Sequence, residues 1–239
     1  YNAFQPGSML SERAKQGNGD RRVLINLDEL TQSEIGYQRI TSLLHEGEAV
    51  SDYKTVGTVL QVTLAKPILP GATTNFSMEF NAQIPIVVRR TGRNNKEDID
   101  YTMTQWYPKM AEYDEEGWHP DQYVAREFYG VFGDFDVKIT IDKNYVLGGT
   151  GVLQNAEEMG AGYESESPRT RAKGTTKTWH FVAENVHDFA WAADPDFTHK
   201  SFQVEDGPVV HLLYNPKTAN LKNWERAEGD IKKYFAFMA

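Results

Sequence analysis

The stretch NFSMEFNAQIPI at 75–86 constrains the fold more than any other feature. Phe76, Met78, Phe80, Ala82, Ile84 and Ile86 alternate with polar residues, the period-two pattern of a strand that buries one face. The pattern recurs with Leu60, Val62 and Leu64, and again with Phe135, Val137, Ile139 and Ile141. TWHFVAENV (178–186) and VVHLLY (209–214) are further strand candidates, bounded by Gly, Pro, Asp and Asn. Amphipathic strands with no helices between them predict a mainly β fold of antiparallel, sandwich-like or saddle-like sheets. Strands are expected near 59–65, 76–86, 134–142, 178–187 and 209–214, with little regular helix before residue 219.

Helix signals sit at the two ends. Ser8 is placed to cap a short helix over MLSERAKQ that stops at Gly17. Leu221, Trp224, Ala227, Ile231, Tyr234, Phe235 and Met238 recur at spacings of mostly three and four, so a helix is expected to start after residue 219, interrupted only by Gly229. The Gly-, Ser-, Thr- and charge-rich segment 159–177 reads as a long loop between strands.

At 239 residues the chain can bury a substantial core, and one domain is the simpler reading. A formal net charge of −9, with arginines paired only at Arg21-Arg22 and Arg89-Arg90, argues against nucleic acid as a partner. Without cysteine there is neither a disulfide nor a thiolate zinc site. No apolar run reaches the roughly 20 residues of a membrane-spanning helix. Zero cysteine suits an exported protein that avoids mispaired thiols.

Motifs of catalysis are sparse. None of the six histidines lies four residues from another in the spacing of a helical metal pair. His45-Glu46 starts like HExxH but lacks the second histidine and reads as a surface turn. His180 and His211 fall in alternating strands as solvent-facing imidazoles, and GGTG at 148–151 reads as a tight turn rather than a phosphate cradle. In AENVHDFAWAADPDF (183–197), His187, Asp188, Asp194 and Asp196 flank a tryptophan and could form either an active site or scaffold. The aromatic-rich segment 104–141 could be a carbohydrate platform, a packed loop, or a source of acid–base carboxylates among Asp114, Glu115, Glu116, Asp121 and Glu127.

TQWYPKMAEYD, GWHPDQY, EFYGVFGDFDVKITIDKNYVLGGTGVL and KTWHFVAENVHDFAWAADPDF together resemble the N-terminal β-domain of the aminopeptidase N family of zinc metallopeptidases, in its bacterial, envelope-associated branch. GTVLQVTLAKPILPG and the strand after it are similar to that domain's middle strands, and the resemblance runs from YNAF to VVHLLYNP. It implies that 1–218 is a non-catalytic β-domain lacking its first strands. Residues 219–239 would lead toward a catalytic domain that holds the zinc; the present chain carries neither the HExxH nor the GxMEN-type motif. No cofactor and no metal ligand set are expected here.

The resemblance makes 183–197 a strand and the turn leaving it, with Val186, Phe189 and Trp191 as packing residues. It carries over Gln105 and Tyr107 as candidate substrate-binding residues, at the segment that meets the free amine of a peptide. Family members place an acid or amide where Tyr107 stands, which puts ordinary aminopeptidase specificity in question. The implied partners are a catalytic domain of the same polypeptide and a peptide substrate; an unpaired strand edge adds a possible homodimer. The other reading is a stand-alone carbohydrate- or protein-binding β-sandwich module.

Overall fold

A computed structural model describes residues 3–17, 26–86, 91–122, 130–160, 162–163 and 174–238. The chain is mainly β, its strand pairs are antiparallel, and a helix stands near each end. Two compact units interleave in sequence, one from Tyr1–Gly92 and Gln105–Val131, the other from Arg93–Thr104 and Phe132–Ala239.

In the first unit the helix Met9–Lys15 begins where Ser8 Oγ accepts the Ser11 amide hydrogen at 3.1 Å. It ends before Gly17, whose φ of 72° is the left-handed conformation glycine adopts without penalty. Leu10 from its inner face joins Ala3, Phe4, Leu27, Leu30 and Ile35 in a small core. Beside it, Tyr37–His45 pairs along its length with Phe76–Gln83, and the register slips between Ile40 and Ser42. That bulge explains why YQRITSLLH shows no clean alternation: an extra residue reverses the sidedness of everything beyond it. Glu48–Ala49 pairs with the end of Tyr37–His45, and two hairpins, Tyr53–Val56 with Val59–Val62 and Tyr113–Asp114 with Gly117–Trp118, stand in the same unit.

The second unit is organised by Thr176–Val186, which pairs with Gly133–Asp142 on one side and Val152–Leu153 on the other. Its inward alternation of Trp179, Phe181 and Ala183 supplies the core. A second sheet sets Trp191–Asp194 between Val146–Gly149 and Tyr101–Met103. Thr198–Gln203 and Val209–Tyr214 form a hairpin, and the helix Leu221–Met238 follows.

The strand boundaries shift modestly from the sequence reading: 59–65 shortens to Val59–Val62 and 76–86 to Phe76–Gln83. GGTG is not wholly a turn. Gly148 and Gly149 pair with Ala192 and Trp191 inside a strand, and the chain bends only at Thr150-Gly151. Glycine is required there by close approach: a Cβ on Gly148 would stand 2.8 Å from Leu213, and one on Gly151 would strike the Val182 carbonyl oxygen. The apolar stripe of the C-terminal helix is narrower than expected. Trp224, Ala227, Ile231 and Phe235 are half-buried, whereas Leu221, Tyr234 and Met238 are exposed. Of the expected 159–177 loop, residues 161 and 164–173 lie outside the described set, and Thr176-Lys177 already belong to a strand; Arg21-Arg22, Arg89-Arg90 and Glu127 also lie outside it. Among the described residues no helix is long and apolar enough to cross a membrane.

Candidate functional site

The polar residues of 183–197 serve the backbone. After the strand ends at Val186 the chain bends, and Asp188 Oδ1 accepts the amide hydrogen of Phe189 at 2.8 Å. Phe189 is fully buried, with its ring 6.2 Å from those of Phe135 and Phe181. His187 packs its ring 5.7 Å from that of Phe132. Ala190 donates its amide to Thr150 Oγ1 at 3.0 Å, tying the bend to the Gly149–Gly151 crossing. The chain then resumes as Trp191–Asp194, a strand where the sequence reading has only a turn.

Asp194 is 2 % exposed, and both of its carboxylate oxygens accept backbone amides, Oδ1 from Asp196 at 2.7 Å and Oδ2 from Asp100 at 3.0 Å. Asp100 in turn accepts the Tyr145 hydroxyl at 2.6 Å, which pushes that phenol far above its ordinary range. Lys217 donates to Asp196 at 2.6 Å, a contact that raises the lysine's pKa. Buried carboxylates spent on backbone amides satisfy donors that would otherwise be costly to bury. Asp188 and Asp194 thus hold the backbone of the bend and the strand after it.

Gln105 and Tyr107 lie in the first unit, both half-buried. Gln105 sits at φ 56°, a left-handed conformation that costs a non-glycine residue about 1 kcal/mol and aims the chain sharply. The Trp106 and Tyr107 rings meet edge to face with centroids 5.1 Å apart, and the Trp106 carbonyl accepts Gln38 Nε2 at 2.7 Å. The Lys109 ammonium stands 5.9 Å from the Tyr107 ring centre.

A cleft of about 900 Å³ lies in the same unit, lined by Gln5, Tyr37, Gln38, Arg39, Tyr53 and Gln122 among others. Gln105 and Tyr107 do not line it; Gln38 joins the two regions through its bond to Trp106. Arg39 lies over the Tyr37 ring at 4.0 Å. Sequence reasoning missed the cleft because its wall is assembled from segments far apart in sequence, the N-terminal stretch from Gln5 to Glu12, the start of the strand Tyr37–His45, and Gln122 among them.

The 104–122 aromatics divide. Trp106 and Tyr107 are half-buried, whereas Tyr113 and Trp118 are 62 % and 59 % exposed with rings 4.9 Å apart. His119 Nε2 lies 2.8 Å from Asp114 Oδ1, which lowers the carboxyl's pKa and raises the imidazole's. Glu46 is also shifted down, chiefly by the Asn75 amide at 2.6 Å; it stands in the turn, whereas His45, read with it as a surface turn, is the last residue of the strand Tyr37–His45. Downward shifts keep a carboxylate ionised, opposite to what a general acid needs. His180 is not simply solvent-facing: its Nε2 contacts Asp136 Oδ1 at 2.8 Å. His211 bonds His199 at 2.8 Å, with Tyr163 stacked over both rings. Among the described residues no group of three or more His, Cys, Asp or Glu is arranged to hold a metal.

No family model and no curated protein matches the chain. Among solved structures it is similar to an M1 zinc metallopeptidase from Deinococcus radiodurans, at 13% identity and a TM-score of 0.41. A mutant of an M1 zinc metallopeptidase from that organism bound to a Tyr-Ser-Ala substrate gives 14% and 0.44, and a two-domain M1 zinc metallopeptidase mutant bound to L-arginine gives 13% and 0.43. In each case 74% of this chain is covered, and it spans 37% of the other.

Proposed function

We propose that this chain is a non-catalytic β-domain of a zinc-dependent aminopeptidase, located N-terminal to a catalytic domain of the same polypeptide that holds the zinc. Support comes from the specific resemblance of KTWHFVAENVHDFAWAADPDF, joined to the way that stretch folds: strand, bend and strand, with Asp188 and Asp194 engaged by backbone amides. A chain that spends these residues on scaffold contributes packing and positioning rather than bond cleavage. The protein is expected in the periplasm or cell envelope of a bacterium.

Within that reading Gln105 and Tyr107 meet the N-terminal end of a peptide substrate. The Tyr107 phenol is neutral at pH 7 and offers a hydrogen bond but no ion pair to an ammonium. The test is Tyr107→Ala in the complete peptidase, with kcat/KM measured across peptides that differ at the N-terminal residue. Loss of one hydrogen bond, about 0.5 to 1.5 kcal/mol, should change that selectivity several-fold with the melting temperature nearly retained. A deep drop in melting temperature with unaltered selectivity would show that Tyr107 is scaffold.

The second reading, a carbohydrate- or protein-binding module, is favoured by the exposed Tyr113–Trp118 pair. Under it, Trp118→Ala would abolish binding on a glycan or protein array and leave any peptidase activity of the complete protein unchanged.

A further inference from the structure

The strand Gly133–Asp142 runs for ten residues and stands at the edge of its sheet, in the order 133–142, 176–186, 152–153. Among the described residues no strand pairs along its other side. One face carries half-buried Phe135, Val137, Ile139 and Ile141; the other exposes Asp134, Asp136, Lys138, Thr140 and Asp142. An edge of this length offers a row of backbone groups to another strand, and the usual protections are proline, a bulge or a mid-strand lysine. Proline is absent, and the single irregularity lies at the far end, between Gly133 and Phe135. Lys138 is the one protection in place.

We propose that Gly133–Asp142 pairs antiparallel with the same strand of a second copy, about a twofold axis at Val137. The charges select both the occupant and the register. With the axis at Val137, Asp136 of each copy faces Lys138 of the other, and Asp134 faces Thr140. Moving the axis to Asp136 or Lys138 sets like charges directly opposite, which is destabilising. In the Val137 register the lysine that would repel a second edge meets a carboxylate, twice per dimer. On the opposite face Phe135 meets Ile139 of the other copy, continuing one apolar surface across the junction. Asp136 is 67% exposed even with Oδ1 against His180 of the strand already paired with it. The exposed edge of Phe76–Gln83 has no such match. Its outward residues are Ser77, Glu79 and Asn81, so self-pairing about Glu79 opposes two carboxylates.

The test is sedimentation velocity on this 239-residue chain between about 1 and 200 µM, with far-UV circular dichroism melts to confirm that each variant stays folded. The wild type is expected to shift from monomer to dimer with concentration. Lys138→Glu and Asp136→Lys should each weaken the dimer at least tenfold, and the double variant Asp136→Lys/Lys138→Glu should return it to within about threefold of wild type. Raising salt from 50 to 500 mM should weaken the wild-type dimer. A wild type that stays monomeric at 200 µM overturns the proposal, as does a dimer that both single substitutions leave unchanged. If a charge variant fails to fold, disulfide trapping decides: Val137→Cys, the sole cysteine in the chain, should cross-link two copies under mild oxidation, and failure to do so rejects the twofold register.

Discussion

At the scale of single residues the account rests on which side chains hold the bend at 187–190. Phe189 is fully buried among Phe135 and Phe181, so Phe189→Ala should destabilise the second unit by roughly 3 to 5 kcal/mol in urea denaturation. His187→Ala, at an exposed residue whose ring is tilted against Phe132, should cost far less. The comparison separates packing from catalysis in a stretch whose letters allow both. The Asp114–His119 contact gives a pH prediction. His119 has a raised pKa, so its contribution is complete below the ordinary value of 6.5 and is lost as pH rises through the folded value. Asp114 has a lowered pKa, so its contribution is present above 3.8 and is lost as pH falls through the folded value. The ion pair therefore persists between those two folded values. An NMR titration should place His119 above 6.5 in the wild type and lower it in Asp114→Asn; identical curves would contradict the pairing.

At the scale of elements, legibility followed periodicity. Gly133–Asp142 alternates throughout, Thr176–Val186 as far as Ala183 and Val209–Tyr214 as far as Leu212, and the sequence reading places all three within about two residues. Tyr37–His45 carries a bulge, and Trp191–Asp194 is a four-residue run of alanines, tryptophan and aspartate that lacks a two-residue period; neither is visible from residue pattern alone. The C-terminal helix was legible because its apolar spacing is helical, but which residues touch the protein was not. Trp224 does, stacking on Tyr214 at 4.7 Å, while no residue of the helix is fully buried. Helices in water draw most of their stability from packing. Trp224→Ala should therefore raise amide exchange throughout 221–238 and leave Thr176–Val186 protected, as hydrogen-exchange mass spectrometry would report. Uniform loss of protection in both segments would refute that assignment.

At the scale of the whole molecule, the mainly β architecture could be read from alternation, and the strand ending at Val186 with the bend after it from resemblance. The interleaving of two units could not, because it depends on pairings between residues far apart in sequence. Trp191–Asp194 beside Tyr101–Met103 is one such pairing. The candidate pair Gln105 and Tyr107 was legible only through a motif; the 900 Å³ cleft, built from an N-terminal segment, a bulged strand and Gln122, left no contiguous signal. The central claim is that this chain positions substrate for a zinc centre located elsewhere in its polypeptide. Hydrolysis of aminoacyl p-nitroanilides in the presence of zinc tests it most directly, with the 239-residue chain compared against the polypeptide in which it is encoded. The account predicts no turnover and no stoichiometric zinc for the chain alone, and zinc-dependent turnover for the complete polypeptide. Turnover by the chain alone with one tightly held zinc, or a complete polypeptide that neither binds zinc nor cleaves, would contradict it.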